Sequence, residues 1–275
     1  MKLSICVQTD EVDRAIPVAL FTGPFRERVR KAAMFGADGV ELMTVNPAAL
    51  DAPAIGTTLT QHGVSVSAIG SGGIAFATGL TLLHADAGAS ARARALLGEL
   101  IDLASALAAP LVTIGSFRGR LAAAGPGARE KLAEVLWSGA ELARREGVRL
   151  AMEPANRYEA DFINNAADGL AFVTEVGHPA LGLLLDTFHV NIEESSWTEP
   201  FRTLMAAGVL WHVHVGDNNR LAPGQGMIDF PAIVDTLYDI GYQGHLSAEL
   251  LARPDGDTAA RQTLAHLRPL LEKLQ

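Results

Sequence analysis

Cysteine is almost missing from this chain. Cys6 stands alone among 275 residues, which excludes an intrachain disulfide and fits a reducing compartment. It lies inside the first apolar run and reads as a small core residue. Long hydrophobic runs are missing too: none reaches the roughly 18 residues of a membrane-spanning helix. Met1-Lys2-Leu3-Ser4-Ile5 opens directly into a strand pattern rather than a secretory leader, so the expected location is cytoplasmic, with no membrane partner. Positive charge is in deficit. The net charge of −9 disfavours a polyanionic partner, and no nucleic acid is expected. No spaced-glycine nucleotide fingerprint follows the first strand. No Pro/Ser-rich linker or charge run divides the chain, so residues 1–275 read as one domain. Charged residues make up only 19% and hydrophobic residues 49%, which argues against disorder and leaves material for a large core.

What is present is a repeated strand-then-helix unit. Strands are expected at Leu3–Val7, Gly39–Met43, Val64–Ile69, Pro110–Gly115, Val148–Glu153, Leu181–Asp186, Val209–Val215 and His245–Glu249. Helices follow at Phe25–Phe35, Asp51–His62, Ala89–Ala108, Ala128–Arg145, Ala166–Val176, Glu199–Ala207, Pro231–Ile240 and Thr258–Leu274. The stretch from Gly70 to about Asp86 reads as a flexible loop. Several helices stop on a glycine just before the next apolar run, as at Gly36, Gly147, Gly208 and Gly241, the pattern of a left-handed helix cap. Eight such units favour a closed (β/α)8 TIM barrel over an open α/β sheet.

Four of the last strands end on residues that ligate metals. Apolar runs stop at Glu153, Asp186, His214 and Glu249, at intervals of about 30 residues, the length of one strand–helix–strand step. Each residue alone is ordinary, a helix cap or a solvated charge. All four at successive strand ends converge if the strands lie side by side. Three carboxylates with one imidazole form an oxygen-rich set that suits Mn2+, with Mg2+ or Co2+ tolerated, rather than a sulfur-rich zinc site. His212 and His214 share strand parity and both point inward; His214 is nearer the level of the other ligands and His212 one layer deeper. Glu159, His189 and Arg220 lie in the loops just past these strands. Arg118 and Arg120 follow the fourth strand, where a guanidinium would pair with a substrate carboxylate.

The runs Glu153-Pro154-Ala155-Asn156-Arg157-Tyr158-Glu159, Asp161-Phe162-Ile163-Asn164, Asp186 to Glu194 and His212 to Arg220 resemble the ketose 3-epimerases of the D-tagatose and D-psicose type, in the xylose-isomerase-like barrel superfamily. Ala68-Ile69-Gly70-Ser71-Gly72, Asp86 and Ile114 to Arg120 resemble the 5-keto-L-gluconate (D-tagaturonate) epimerases. The resemblance implies that Glu153, Asp186, His214 and Glu249 bind the metal, that Glu153 and Glu249 also exchange the substrate proton, and that Glu159, His189 and Arg220 hold its hydroxyls and carbonyl. One departure stands out. The family's eighth strand continues Glu-Pro-Phe, and here it continues Glu249-Leu250-Leu251, so the wall beside the substrate differs.

The expected reaction is inversion of the carbon next to a ketose or keto-uronate carbonyl through a cis-enediolate, with two glutamates as acid and base. An aldose–ketose isomerase or a keto-inositol dehydratase would use the same parts, and a sugar-binding module would have lost one of them. An abasic-site endonuclease would need extra histidines on the second to fourth strands and a basic face. The expected partners are a small sugar and further copies of the chain, as a dimer or tetramer.

Overall fold

The computed structural model describes residues 1–274. In chain order the elements are β1 (Lys2–Gln8), α1 (Phe25–Phe35), β2 (Gly39–Met43), α2 (Ala52–His62), β3 (Ser65–Gly70), α3 (Gly72–Thr78), α4 (Ala87–Ala106), β4 (Leu111–Ile114), α5 (Leu121–Ala124), α6 (Ala128–Arg145), β5 (Arg149–Met152), α7 (Ala166–Val176), β6 (Leu181–Asp186), α8 (Thr187–Glu193), α9 (Glu199–Ala206), β7 (Leu210–Val215), α10 (Phe230–Asp239), β8 (His245–Ala248) and α11 (Gly256–Glu272). The eight strands close in sequence order, every neighbour parallel and β1 paired with β8. This is the barrel expected from the eight-fold repeat.

The strands are near-continuous apolar runs because both their faces are covered. The outer faces meet the helices in one large cluster that includes the fully buried Phe172, Phe201 and Phe230. Each such ring contributes about 1.5–3 kcal/mol by leaving water. Inside the barrel the packing is thinner: Ala68, Leu111, Ala151 and Leu184 form one small layer. Ala68 and Ala151 in that layer are small and leave room for polar groups. Gly36 closes α1 at φ 94° and Gly147 follows α6 at φ 71°, the left-handed turn expected at these junctions.

Element boundaries differ from the sequence reading by a residue or two at most strands. Three short helices were not expected. The stretch after β3 was expected to be a flexible loop, and α3 occupies part of it. The third is α8, which starts at the residue after β6 with no intervening loop. Its N-cap is Asp186, whose Oδ1 accepts from the Phe188 amide at 2.9 Å. A strand-terminal acid therefore also begins a helix, and α5 adds one further turn after β4. Among the described residues no helix is long and apolar enough to cross a membrane.

Candidate metal centre and substrate cavity

Parallel closure aligns the strand ends. Asp186 pairs in register with His214, and His214 with Ser247, so Glu249 lies just beyond the end of β8. Glu153 follows β5, its amide donating to the Ile114 carbonyl at 3.0 Å. These links bring donor atoms of Glu153, Asp186, His214 and Glu249 within 4.8 Å of one another. His214 Nδ1 lies 3.4 Å from Glu153 Oε1 and 3.6 Å from Glu249 Oε2. The four residues are between 0 and 9% exposed.

Glu153 Oε1, Asp186 Oδ2 and His214 Nδ1 are buried and have no hydrogen-bond partner. Buried polar atoms without partners are costly, and here three of them face a common point. The residues fit a divalent cation: the donors are hard oxygens with one imidazole nitrogen, and their mutual separations are those of ligands about 2.0–2.6 Å from a shared ion.

Crowding perturbs the acids in opposite directions. Burial pushes the Asp186 carboxyl up to about 6, the carboxylates of Glu153 and Glu249 adding to the rise while His189 opposes it. Burial would raise Glu249 as well, but His214 and Arg220 outweigh it and hold this carboxyl down at about 2. Opposite shifts within one small site are characteristic of functional clusters.

The cavity above the cluster has a volume of about 560 Å³ and is lined by Glu153, Glu159, His189, His214, Arg220 and Glu249 together with Ile16, Phe76, His84 and Arg120. Its polar side chains hold one another in place. Arg220 takes a left-handed backbone conformation, φ 59°. Its guanidinium donates to Glu159 Oε1 at 2.8 Å, lies 3.5 Å from Glu249 Oε2 and stacks 4.8 Å over the Phe188 ring. The loop behind it is organised by Asp217, a fully buried carboxylate that accepts from the amides of Gly224, Gly226 and Ile228. His189, on the first turn of α8, is fixed by Asn156, whose amide lies 2.8 Å from Nδ1. Its Nε2 therefore carries the proton and points toward Glu153 Oε1, 3.9 Å away.

The two arginines after β4 part company. Arg118 is 1% exposed. Its Nη1 donates to the carbonyls of Glu153 and Gly115 at 2.7 and 3.2 Å, and its Nη2 to those of Phe162 and Ile163 at 3.2 and 3.4 Å. Those four bonds tie the loops after β4 and β5 together under the site, and Arg118 also lines the cavity. Arg120 is exposed and lines the cavity, donating to the carbonyls of Tyr158 and Glu159.

Two residues of the site were given no role from the sequence. Asn156 sits in the loop after β5. Glu41, in the middle of β2, is 0% exposed and meets both barrel histidines: its Oε2 lies 3.0 Å from His212 Nε2 and 3.1 Å from His214 Nε2. The only sequence signal for Glu41 was an acid of inward parity inside an apolar strand.

Fold and donor set together define a TIM-barrel protein with a candidate divalent-metal site at its carboxyl-terminal rim, where such barrels carry their chemistry. The chain belongs to the xylose isomerase-like TIM barrel family, whose sequence description matches residues 29–270. An L-ribulose 3-epimerase of Mesorhizobium japonicum is 33% identical over 222 residues, 78% of this chain and 71% of that protein. An L-ribulose 3-epimerase of Methylomonas sp. is 30% identical over 249 residues, 89% of this chain and 85% of its own length. A solved structure of an L-ribulose 3-epimerase matches with a TM-score of 0.80 at 27% identity, over 98% of this chain and 95% of that one. The chain is thus an enzyme of the isomerase class, among epimerases of sugars.

Proposed function

We propose that the protein inverts the carbon adjacent to the carbonyl of a ketose or keto-uronate, a C3-epimerisation through a cis-enediolate. The observation that carries this reading is the convergence of unpartnered atoms of Glu153, Asp186 and His214 beside Glu249. The names of the relatives add support for a ketose substrate. Glu153, Asp186, His214 and Glu249 would hold a divalent ion, Mn2+ by the hardness of the donors, with Mg2+ or Co2+ as substitutes. When bound, such an ion supplies Lewis acidity, which lowers the cost of negative charge on a substrate oxygen.

The rest is work for side chains. Glu153 and Glu249 come from strands three apart around the barrel and are assigned to opposite faces of the substrate plane. One removes the proton and the other returns a proton from the far side. A single base unable to cross the plane would regenerate the starting isomer. Arg220, Glu159 and His189 are assigned to the substrate's hydroxyls and carbonyl. Glu249 is held in the carboxylate form, the form a base requires, by His214 and Arg220. Arg120, at the cavity wall, is assigned to an acid group at the far end of the substrate.

The test is deuterium wash-in from solvent with Mn2+ over a panel of neutral ketoses and keto-uronates. Label on the carbon next to the carbonyl together with the new epimer is expected. Label with an aldose product, or loss of water without epimer, would replace this reading by an isomerase or a dehydratase. Glu153→Gln and Glu249→Gln should each lower turnover by about 10²–10⁴-fold. Exposed apolar side chains such as Trp137, Met227 and Tyr238 support a homodimer or homotetramer, and the same reading carries a cytoplasmic location and a single catalytic domain.

A further inference from the structure

Deep in the barrel, below the candidate metal ligands, lies a second set of chemistry-bearing side chains that the reaction does not use: Glu41, His212 and Thr113. Glu41 is fully buried and accepts from three sides. Its Oε1 takes the Thr113 hydroxyl at 3.1 Å, its Oε2 takes His212 Nε2 at 3.0 Å, and His214 Nε2 lies 3.2 and 3.1 Å from the two oxygens. A carboxylate without its proton is acceptor only, so the nitrogens that meet it must carry hydrogens. The consequence for His214 is specific. With the proton fixed on Nε2, the lone pair is on Nδ1, and Nδ1 is the atom that stands unpartnered beside Glu153 and Glu249.

We propose that Glu41 is the positioning residue of the metal centre: it fixes the tautomer and ring orientation of His214 so that Nδ1 faces the ion. The inference rests on the reading that Glu153, Asp186, His214 and Glu249 hold a divalent cation. His212 and His214 both meet Glu41 through Nε2, and a nitrogen that donates there has no lone pair for an ion, so the inner cluster acts as a support. His212 is held by the same carboxylate and packs edge-on to His214, ring centroids 5.2 Å apart, which restrains the ring from turning. Carboxylates that receive the far nitrogen of a ligating histidine commonly govern metal affinity by about 10–100-fold.

Glutamine at position 41 is the informative change. It keeps the shape but replaces one acceptor oxygen by an NH2 donor, which must face the Thr113 hydroxyl or an imidazole N–H. The simplest relief is transfer of the His214 proton to Nδ1, which removes the lone pair from the metal side. Glu41→Gln is therefore expected to bind Mn2+ about 10–100-fold more weakly in calorimetric titration. At saturating Mn2+, the nitrogen coupling of an imidazole ligand, read by pulsed electron paramagnetic resonance, should weaken or vanish. Thr113→Val removes a donor from the same carboxylate and leaves His214 alone; it should keep both affinity and nitrogen coupling. Should Glu41→Gln fail to fold, Glu41→Asp, which withdraws the oxygens by one methylene, is read in the same way. Wild-type affinity and coupling in the Glu41 variant, or equal losses in Glu41→Gln and Thr113→Val, would overturn the proposal. If the wild-type protein itself takes up no Mn2+, the reading of the outer four ligands falls, and that failure is distinct.

Discussion

At Asp186 one carboxylate oxygen caps α8 and the other is left facing the cluster, so the residue serves the fold and the site at once. Glu153 has a similarly narrow setting. Gly115 lies against it, and a Cβ on Gly115 would collide with Glu153 Oε2. Gly115→Ala places a methyl against Glu153 Oε2 and should displace that carboxylate. A shift on the order of 1 Å costs about 10²-fold in rate. The expected result is a fall of that size in kcat in the folded variant; a full-rate variant would show that Glu153 has slack. For Arg120, comparison of two substrates isolates its role. A charge-assisted hydrogen bond is worth about 1.5–3 kcal/mol, so Arg120→Ala should lower kcat/KM on a keto-uronate by at least about 10-fold more than on the neutral ketose. Equal losses would mean that Arg120 only braces the Tyr158 and Glu159 carbonyls.

Among the elements, β8 has an unusual start. His245 opens it with Nε2 buried and unpartnered, and burial, with His212 and Lys2 adding repulsion, pushes its imidazole down to about 4. The unfolded value is about 6.5. A group that binds its proton less readily when folded favours the unfolded chain as acid is added. The contribution of His245 is therefore complete above about pH 6.5 and is lost as the pH falls toward about 4. Melting temperatures of the metal-free protein, measured from pH 7.5 down to 4.5, should decline less steeply in His245→Gln than in wild type; parallel curves would count against it. The strand ends were legible before the fold because apolar runs there stop abruptly on carboxylates or an imidazole. Glu41 was not legible, because a single acid inside a five-residue strand has the same pattern whether it faces water or the barrel axis.

For the whole molecule, the partnerless acids and imidazole imply that the fold is under electrostatic load until a cation joins them. An ion at 100 times its dissociation constant adds about 2.7 kcal/mol, so Mn2+ should raise the melting temperature by several degrees and a chelator should reverse it. Absence of any shift would leave the cluster without its cation. The glycine-closed repeats, the eight apolar runs and the four ligand-type residues at about 30-residue intervals are properties of the sequence alone, because they follow from local periodicity and from the length of a strand–helix unit. Local pattern says where a strand ends but not what lies across the barrel from it. Only closure set Glu41 of β2 against His212 and His214 of β7, turned the Arg118 guanidinium onto four carbonyls, and gave Asn156 the ring of His189. Those contacts join residues distant in the chain, and their geometry is decided by how the strands tilt and pack, which no short stretch of sequence contains.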